Sequence, residues 1–137
     1  MNLEKILAGF ANQHLGLLLL RIPASLLMMM HGWAKFLKLQ AGGEIEFFNF
    51  LNLGPVISLI LTIIGELIAP AFIVLGFQTR TAAIPVIVTM AVAAFVAHAG
   101  DPIADREHAL LYLFVFSSIL LLGGGKYGVT MLGGKRN

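Results

Sequence analysis

The sequence predicts an all-α membrane protein, a bundle of four transmembrane helices with a short interfacial segment between the first and the second. Three observations carry this expectation. Hydrophobic residues make up 58% of the 137-residue chain and charged residues 12%, against about 45–50% and about 25% in ordinary soluble domains. Mean hydropathy is +0.91. The apolar residues form long continuous runs rather than the alternation of barrel strands. A soluble domain of this size keeps a large surface fraction and could not bury so much apolar side chain. A soluble globular enzyme, a disordered tail and a nucleic-acid binder are thereby excluded. The length fits a single membrane domain over residues 1–137.

Charges divide the chain into its elements. A span needs about 20 mostly apolar residues. The first helix is placed at roughly Leu15–Trp33. Lys5 ahead of an apolar run suggests a signal peptide, but the run continues into Met28, Met29 and Met30 with no small-residue cleavage site, so this helix is expected to be retained. The segment Gly42–Leu53 carries Phe47, Phe48, Phe50 and Leu51 beside Glu44 and Glu46. It reads as a short interfacial helix with an aromatic face on the bilayer.

The second helix is placed at Pro55–Phe77, because Pro55 suits a first turn and Glu66 is the sole charge from Phe47 to Thr79. A short turn at Gly76–Thr79 leads to the third helix, Thr81–Ala99. Gly100, Asp101 and Pro102 end it. The fourth helix is placed at Glu107–Leu122, before Gly123, Gly124 and Gly125. Phe95 and Phe114 are expected in the core. With four spans both termini share one side, which carries Lys5, Arg80, Lys126, Lys135 and Arg136 against Glu4. The other side carries three cations, Lys35, Lys38 and Arg106, with most of the acids. The positive-inside rule then places both termini in the cytoplasm.

Two charges fall inside the spans. An ionised side chain at mid-bilayer costs at least about 2.5–3.5 kcal/mol on insertion scales, so Arg21 and Glu66 must face the protein interior. At 1.5 Å per residue, Arg21 lies about 9 Å and Glu66 about 14–16 Å from the inner surface. A guanidinium can bridge that gap, so the two are expected to interact. Ser58, Thr62 and Glu66 recur every fourth residue as one polar stripe. Pro70 deprives the Glu66 carbonyl of its helical donor and should kink the helix there. Gly65 and Ala69 allow close helix contact. Such a segment is either a site or a lock between helices.

A second cluster lies at the outer end. His31, His98 and His108 come from three helices, with Lys35, Asp101, Glu107 and Tyr112 nearby. A metal would take the three histidines and Glu107, but their spacing is irregular and places no pair on one helix face. Haem would need histidines deeper in the membrane. A quinone head group wants donors for its carbonyl oxygens and proton-carrying groups, which His, Arg, Tyr and Glu supply. Hydrated side chains and helix caps account for the same residues without a ligand. The three consecutive methionines read as gap-filling packing or lipid contact rather than a metal site. The chain has no cysteine, which removes thiol chemistry, iron–sulfur clusters and covalent haem. No intrinsic cofactor is expected.

In order along the chain come Leu20–Arg21, His31–Gly32 with Lys35 and Phe36, and Gly65–Glu66. The stretch from Val74 to Ala83 and the end Gly123–Gly124–Gly125–Lys126–Tyr127–Gly128 complete the series. This series resembles the DoxX family of small four-helix membrane proteins over about residues 15–132. Gly128 stands where a serine tends to follow the tyrosine in that family. The resemblance implies an integral protein of a bacterial or archaeal cytoplasmic membrane. Some relatives are small subunits of thiosulfate:quinone oxidoreductase, and others accompany redox or oxidative-stress proteins.

The resemblance thus points to an accessory subunit that contacts quinone or a similar small aromatic. The candidate ligand and proton sites are Arg21, His31, Lys35, Glu66, His98, Glu107, His108 and Tyr112, supported by Ser58 and Thr62. With no flavin motif, thiol or convincing metal site, the chain would not transfer electrons alone and would need a redox partner protein. Two other readings stand beside it: a small-solute or proton conduit using Glu66, which would need a homo-oligomer to make a pore, and a purely structural membrane scaffold.

Overall fold

The computed structural model describes residues 2–129 and contains helices without any strand among them. A short helix α1 (Leu3–Phe10) is followed by α2 (Gln13–Ala41), α3 (Pro55–Leu75), α4 (Thr79–Ala97) and α5 (Ile103–Leu122). Helices α2, α3 and α4 are long and apolar enough to cross a membrane. Helix α5 has a comparable length, but its first turns carry Asp105, Arg106 and Glu107. Lys135 and Arg136, used above for orientation, lie outside the described residues.

The residues ahead of the first span form a separate short helix, α1. Asn12 lies between it and α2, and its carboxamide oxygen accepts from the backbone N–H groups of His14 and Leu15 at 3.0 and 3.2 Å, which caps α2. At its other end α2 runs eight residues past the predicted boundary at Trp33. Leu37, Lys38, Leu39, Gln40 and Ala41 are good helix formers whatever their polarity. The helix stops only at Gly42, whose φ of 70° favours glycine. His31 is therefore inside a helix, not at its end.

The segment Gly42–Leu53 is not a helix. It is a loop with a single 3₁₀ turn at Phe50–Asn52. Side chains on the neighbouring helices hold it in place. The Ser58 hydroxyl accepts from the Phe50 N–H at 2.9 Å and donates to the Gly54 carbonyl at 2.7 Å. The Lys38 ammonium donates to the Glu46 carbonyl. Gly42 and Gly43 at positive φ turn the chain out of helical geometry before the aromatic residues begin.

Just before Pro70, where a kink was expected, α3 contains a π-helical turn at Ile64–Ile68. A second π turn, Ala93–Ala97, ends α4. The Arg106 guanidinium reaches the Ala94 carbonyl of that turn at 3.4 Å. Helix α3 ends in a Schellman arrangement: Gly76 N–H donates to Ile73 and Phe77 N–H to Phe72.

The four long helices pack side by side around Met28, Ile73, Val86, Met90, Phe116 and Ile119. On α2 the buried positions are Arg21, Ser25, Met28 and Gly32, one stripe at helical spacing. Closest approach occurs at glycines. A Cβ on Gly32 would lie 2.7 Å from the Glu66 carbonyl carbon, and Gly65 abuts Thr89 and the Pro85 carbonyl of α4. Phe95 and Phe114 were expected in the core and instead are 57% and 66% exposed. Together with Leu19, Met30 and Leu121, they form the outward apolar surface that lipid would cover.

Candidate functional site

The polar stripe of α3 opens onto a cavity of about 350 Å³ at the end of the bundle beneath the Gly42–Leu53 loop. Ligand pockets commonly fall in the range of about 300–1,000 Å³. Helix α2 contributes Met28, His31 and Lys35; α3 contributes Ser58, Thr62 and Glu66; α4 contributes Thr89 and Met90, with His98 just after it. Helix α5 adds Asp105, His108 and Tyr112, and the loop covers them with Phe47, Phe48 and Phe50.

Glu66 is the anchor of the polar wall. Its side chain is 6% exposed and pairs with the Lys35 ammonium at 2.5 Å, while the Lys35 side chain is 27% exposed. Its position follows from local sequence. Gly32 brings the α2 backbone against the backbone at Glu66, and Lys35 lies one turn further along α2 on the same side. Above Glu66, the Thr62 hydroxyl donates to the Ser58 carbonyl at 2.8 Å, so the stripe is internally bonded. Opposite, the His31 imidazole meets the Tyr112 ring edge to face at 6.2 Å, and Tyr112 lies 6.2 Å from Phe116.

The expected contact between Arg21 and Glu66 does not exist. Arg21 faces the far end of α3. Its Nη1 donates to the Ile73 carbonyl at 2.9 Å and more weakly to Val74 at 3.4 Å, and its Nη2 donates to the Tyr127 carbonyl at 2.8 Å. The reason is register. Gly32, not Arg21, stands level with Glu66, and eleven residues of helix separate the two α2 positions by about 16 Å. Arg21 therefore caps a helix C-terminus, where cations are favoured. It does not line the cavity.

Of the other residues singled out from sequence, His31, Lys35, Ser58, Thr62, Glu66, His98, His108 and Tyr112 all line the cavity. Glu107 does not; it is exposed on the outer side of α5. The half-exposed His98 side chain pairs instead with Asp101 at 2.7 Å. Among the described residues no three His, Asp or Glu side chains converge as a metal ligand set. Sequence reasoning missed Asp105, Thr89 and Met90 as wall residues. The signal for Asp105 was present, since Asp105, His108 and Tyr112 follow one helical face.

Such a cavity can hold a flat, largely apolar molecule among aromatic rings while offering an ammonium donor, a carboxylate and imidazoles at its edge. The DoxX family model matches residues 16–99, more than half of the chain. The chain belongs to the DoxX family. The match begins in α2 and ends just after α4, so it includes Arg21, His31, Lys35, Glu66 and His98. Asp105, His108 and Tyr112 lie beyond it. The DoxX match thus carries the Lys35–Glu66 wall of the cavity, and the α5 wall stands outside the matched stretch. No curated protein and no solved structure matches the chain.

Proposed function

We propose that this DoxX protein binds a small aromatic carbonyl compound, with a quinone as the leading case, in the cavity beside Lys35 and Glu66. The observation that carries the proposal is the placing of that partly buried ion pair on the wall of a cavity whose lining includes the aromatic and apolar side chains Phe47, Phe48, Phe50, Met90 and Tyr112. The apolar walls suit the ring, and a few convergent polar groups suit its oxygens. Lys35 would donate to one carbonyl oxygen. Glu66 and the histidines at the rim would relay protons to it.

Reduction of a quinone to the quinol takes two electrons and two protons. The chain supplies groups for the protons only, so the electrons would come from a redox partner protein. In this reading the protein is an accessory subunit and not a self-sufficient enzyme. We further propose that α5 crosses the membrane with α2, α3 and α4, completing four spans. Both termini would then lie on the cytoplasmic side of a bacterial or archaeal membrane, and the cavity would lie toward the outer side.

The test is calorimetric titration of a fully substituted, tailless benzoquinone into the protein in lipid nanodiscs. Saturable binding is expected, weakened about tenfold or more in Glu66→Gln, because the Lys35 ammonium that donates to the ring then loses the carboxylate that positions it for that charge-assisted hydrogen bond. Absence of saturable binding, or equal binding by Glu66→Gln, would contradict the proposal.

A further inference from the structure

We infer, independently of the ring-binding reading above, that α1 is a lipid-binding element. It lies in the headgroup region of the leaflet where α2 begins, with Leu3, Ile6 and Leu7 turned into the acyl chains. These three residues fall on one face of the helix, and they are 66%, 39% and 58% exposed. Glu4, Lys5 and Ala8 fall on the other side. Every residue from Asn2 to Gly9 is exposed, so the bundle covers neither face. A helix of eight residues with no partner is marginal in water, because its nucleus is costly and few hydrogen bonds follow. The Asn2 carboxamide accepts from the Glu4 N–H at 3.3 Å, but one cap does not keep three apolar side chains in water. An apolar surface must hold them.

Connectivity identifies that surface. Helix α1 ends at Phe10, and α2, long and apolar enough to span a bilayer, starts at Gln13. The short helix is therefore tied to the point where α2 enters the membrane, the place of an interfacial amphipathic helix. Trp33 marks the other boundary. It is the only tryptophan of the chain and is 52% exposed, with the Phe36 ring 5.4 Å away. Tryptophan is enriched at membrane–water interfaces. From Gln13 to Trp33 the helix rises about 30 Å at 1.5 Å per residue, which matches the hydrocarbon thickness of a bilayer. Helix α1 and Trp33 thus bracket one hydrocarbon layer. Glu4 and Lys5 offset each other, so the attraction is apolar and needs no anionic lipid. Lys35, two residues beyond Trp33, then stands at the opposite headgroup level.

The experiment uses the protein in phosphatidylcholine nanodiscs. The chain has no cysteine, so Leu3→Cys, Leu7→Cys and Ala8→Cys, made singly, each carry one nitroxide spin label. All three positions are exposed, so the bundle folds without them. Collisions with oxygen, which concentrates among acyl chains, are compared with collisions with a water-soluble nickel chelate. The labels at positions 3 and 7 should favour oxygen severalfold more than the label at position 8, and should lie about 5–10 Å into the headgroup–acyl boundary. The label at position 8 should meet the nickel chelate freely. In the unsubstituted protein, Trp33 fluorescence should be quenched most by lipids brominated close to the headgroup. Equal nickel access at all three positions would put α1 in water and overturn the inference. Protection of positions 3 and 7 from both reagents would mean that protein covers the face, a second copy if the spectra broaden by spin–spin coupling, and would overturn it as well. Trp33 quenched most by lipids brominated at the chain ends would remove the bracket, and the placing of α1 with it.

Discussion

Arg21 and Glu66 are both charged side chains buried on apolar helices, and they are held in opposite ways. Arg21 donates to three backbone carbonyls, those of Ile73, Val74 and Tyr127, and no carboxylate pairs with it among the described residues. Its guanidinium lies against Gly76, where any Cβ would collide with it. All its hydrogen-bond partners are backbone carbonyls, joining α2 to the end of α3 and to the chain after α5. The Glu66 carboxylate is bound by one side chain, Lys35, and lies on the wall of a cavity. A charge whose partners are carbonyls fixes the fold. A charge whose partner is a partly exposed ammonium at the edge of a cavity leaves that ammonium able to donate to a ligand as well.

The sharpest way to break this comparison is at Arg21. Arg21→Ala removes a buried cation and its hydrogen bonds to the Ile73, Val74 and Tyr127 carbonyls, of which Ile73 keeps the Gly76 N–H. It should cost on the order of 3 kcal/mol of stability, since hydrogen bonds from a charged group are worth about 1.5–3 kcal/mol each. Denaturant titration of the protein in mixed micelles measures it. Arg21→Lys should recover part of the loss, and its folded fraction should bind the quinone ring as wild type does.

Next in size is Gly32→Ala. The new Cβ would lie 2.7 Å from backbone atoms of Glu66 and Leu67, which cannot yield as a side chain would. Overpacking of this kind costs about 1–3 kcal/mol. The same substitution should weaken ring binding, because it pushes the π turn bearing Glu66 away from Lys35. A variant that kept full stability would show that the helices do not approach so closely.

Glu66→Gln separates the two ends of the bundle. It keeps the side-chain shape, and the Lys35 left behind is partly exposed. Stability should change by less than about 1 kcal/mol, because a partly exposed charge contributes little when unpaired. The effect should fall on ligand affinity instead, the reverse of Arg21→Ala. The smallest change is expected from His98→Ala. Its pair with Asp101 is about half exposed on both sides, and exposed pairs contribute about 0–1 kcal/mol. Thermal unfolding should hardly move.

The positions of the long helices were legible because hydropathy and the Gly–Pro breaks agree. The length of α2 was not, since hydropathy marks the bilayer while helix propensity carries the chain on through Lys38 to Gly42. The aromatic loop was taken for a helix because Phe47, Phe48 and Phe50 look amphipathic; the glycines at 42 and 43 and the Ser58 clamp decide otherwise. Phe95 and Phe114 illustrate a limit of composition, because an apolar residue facing lipid reads like one facing the core. At the site, the histidines, Tyr112, Lys35 and Glu66 were all visible as intramembrane or helix-end polar groups. Their pairing was not, because choosing Lys35 over Arg21 depends on inter-helix register. That register is set by contacts such as Gly32 on Glu66, which no spacing within a single helix encodes.

The most direct test of the central claim is photolabelling. A benzoquinone carrying a small azide would be irradiated with the protein in nanodiscs, and the modified peptides identified by mass spectrometry. Label should concentrate on the Phe47–Phe50 loop and around Tyr112, be displaced by the unlabelled tailless ring, and fall sharply in Glu66→Gln. Label spread over the exposed faces of α2 and α5, and unchanged in Glu66→Gln, would contradict the assignment of the Lys35–Glu66 cavity as the binding site.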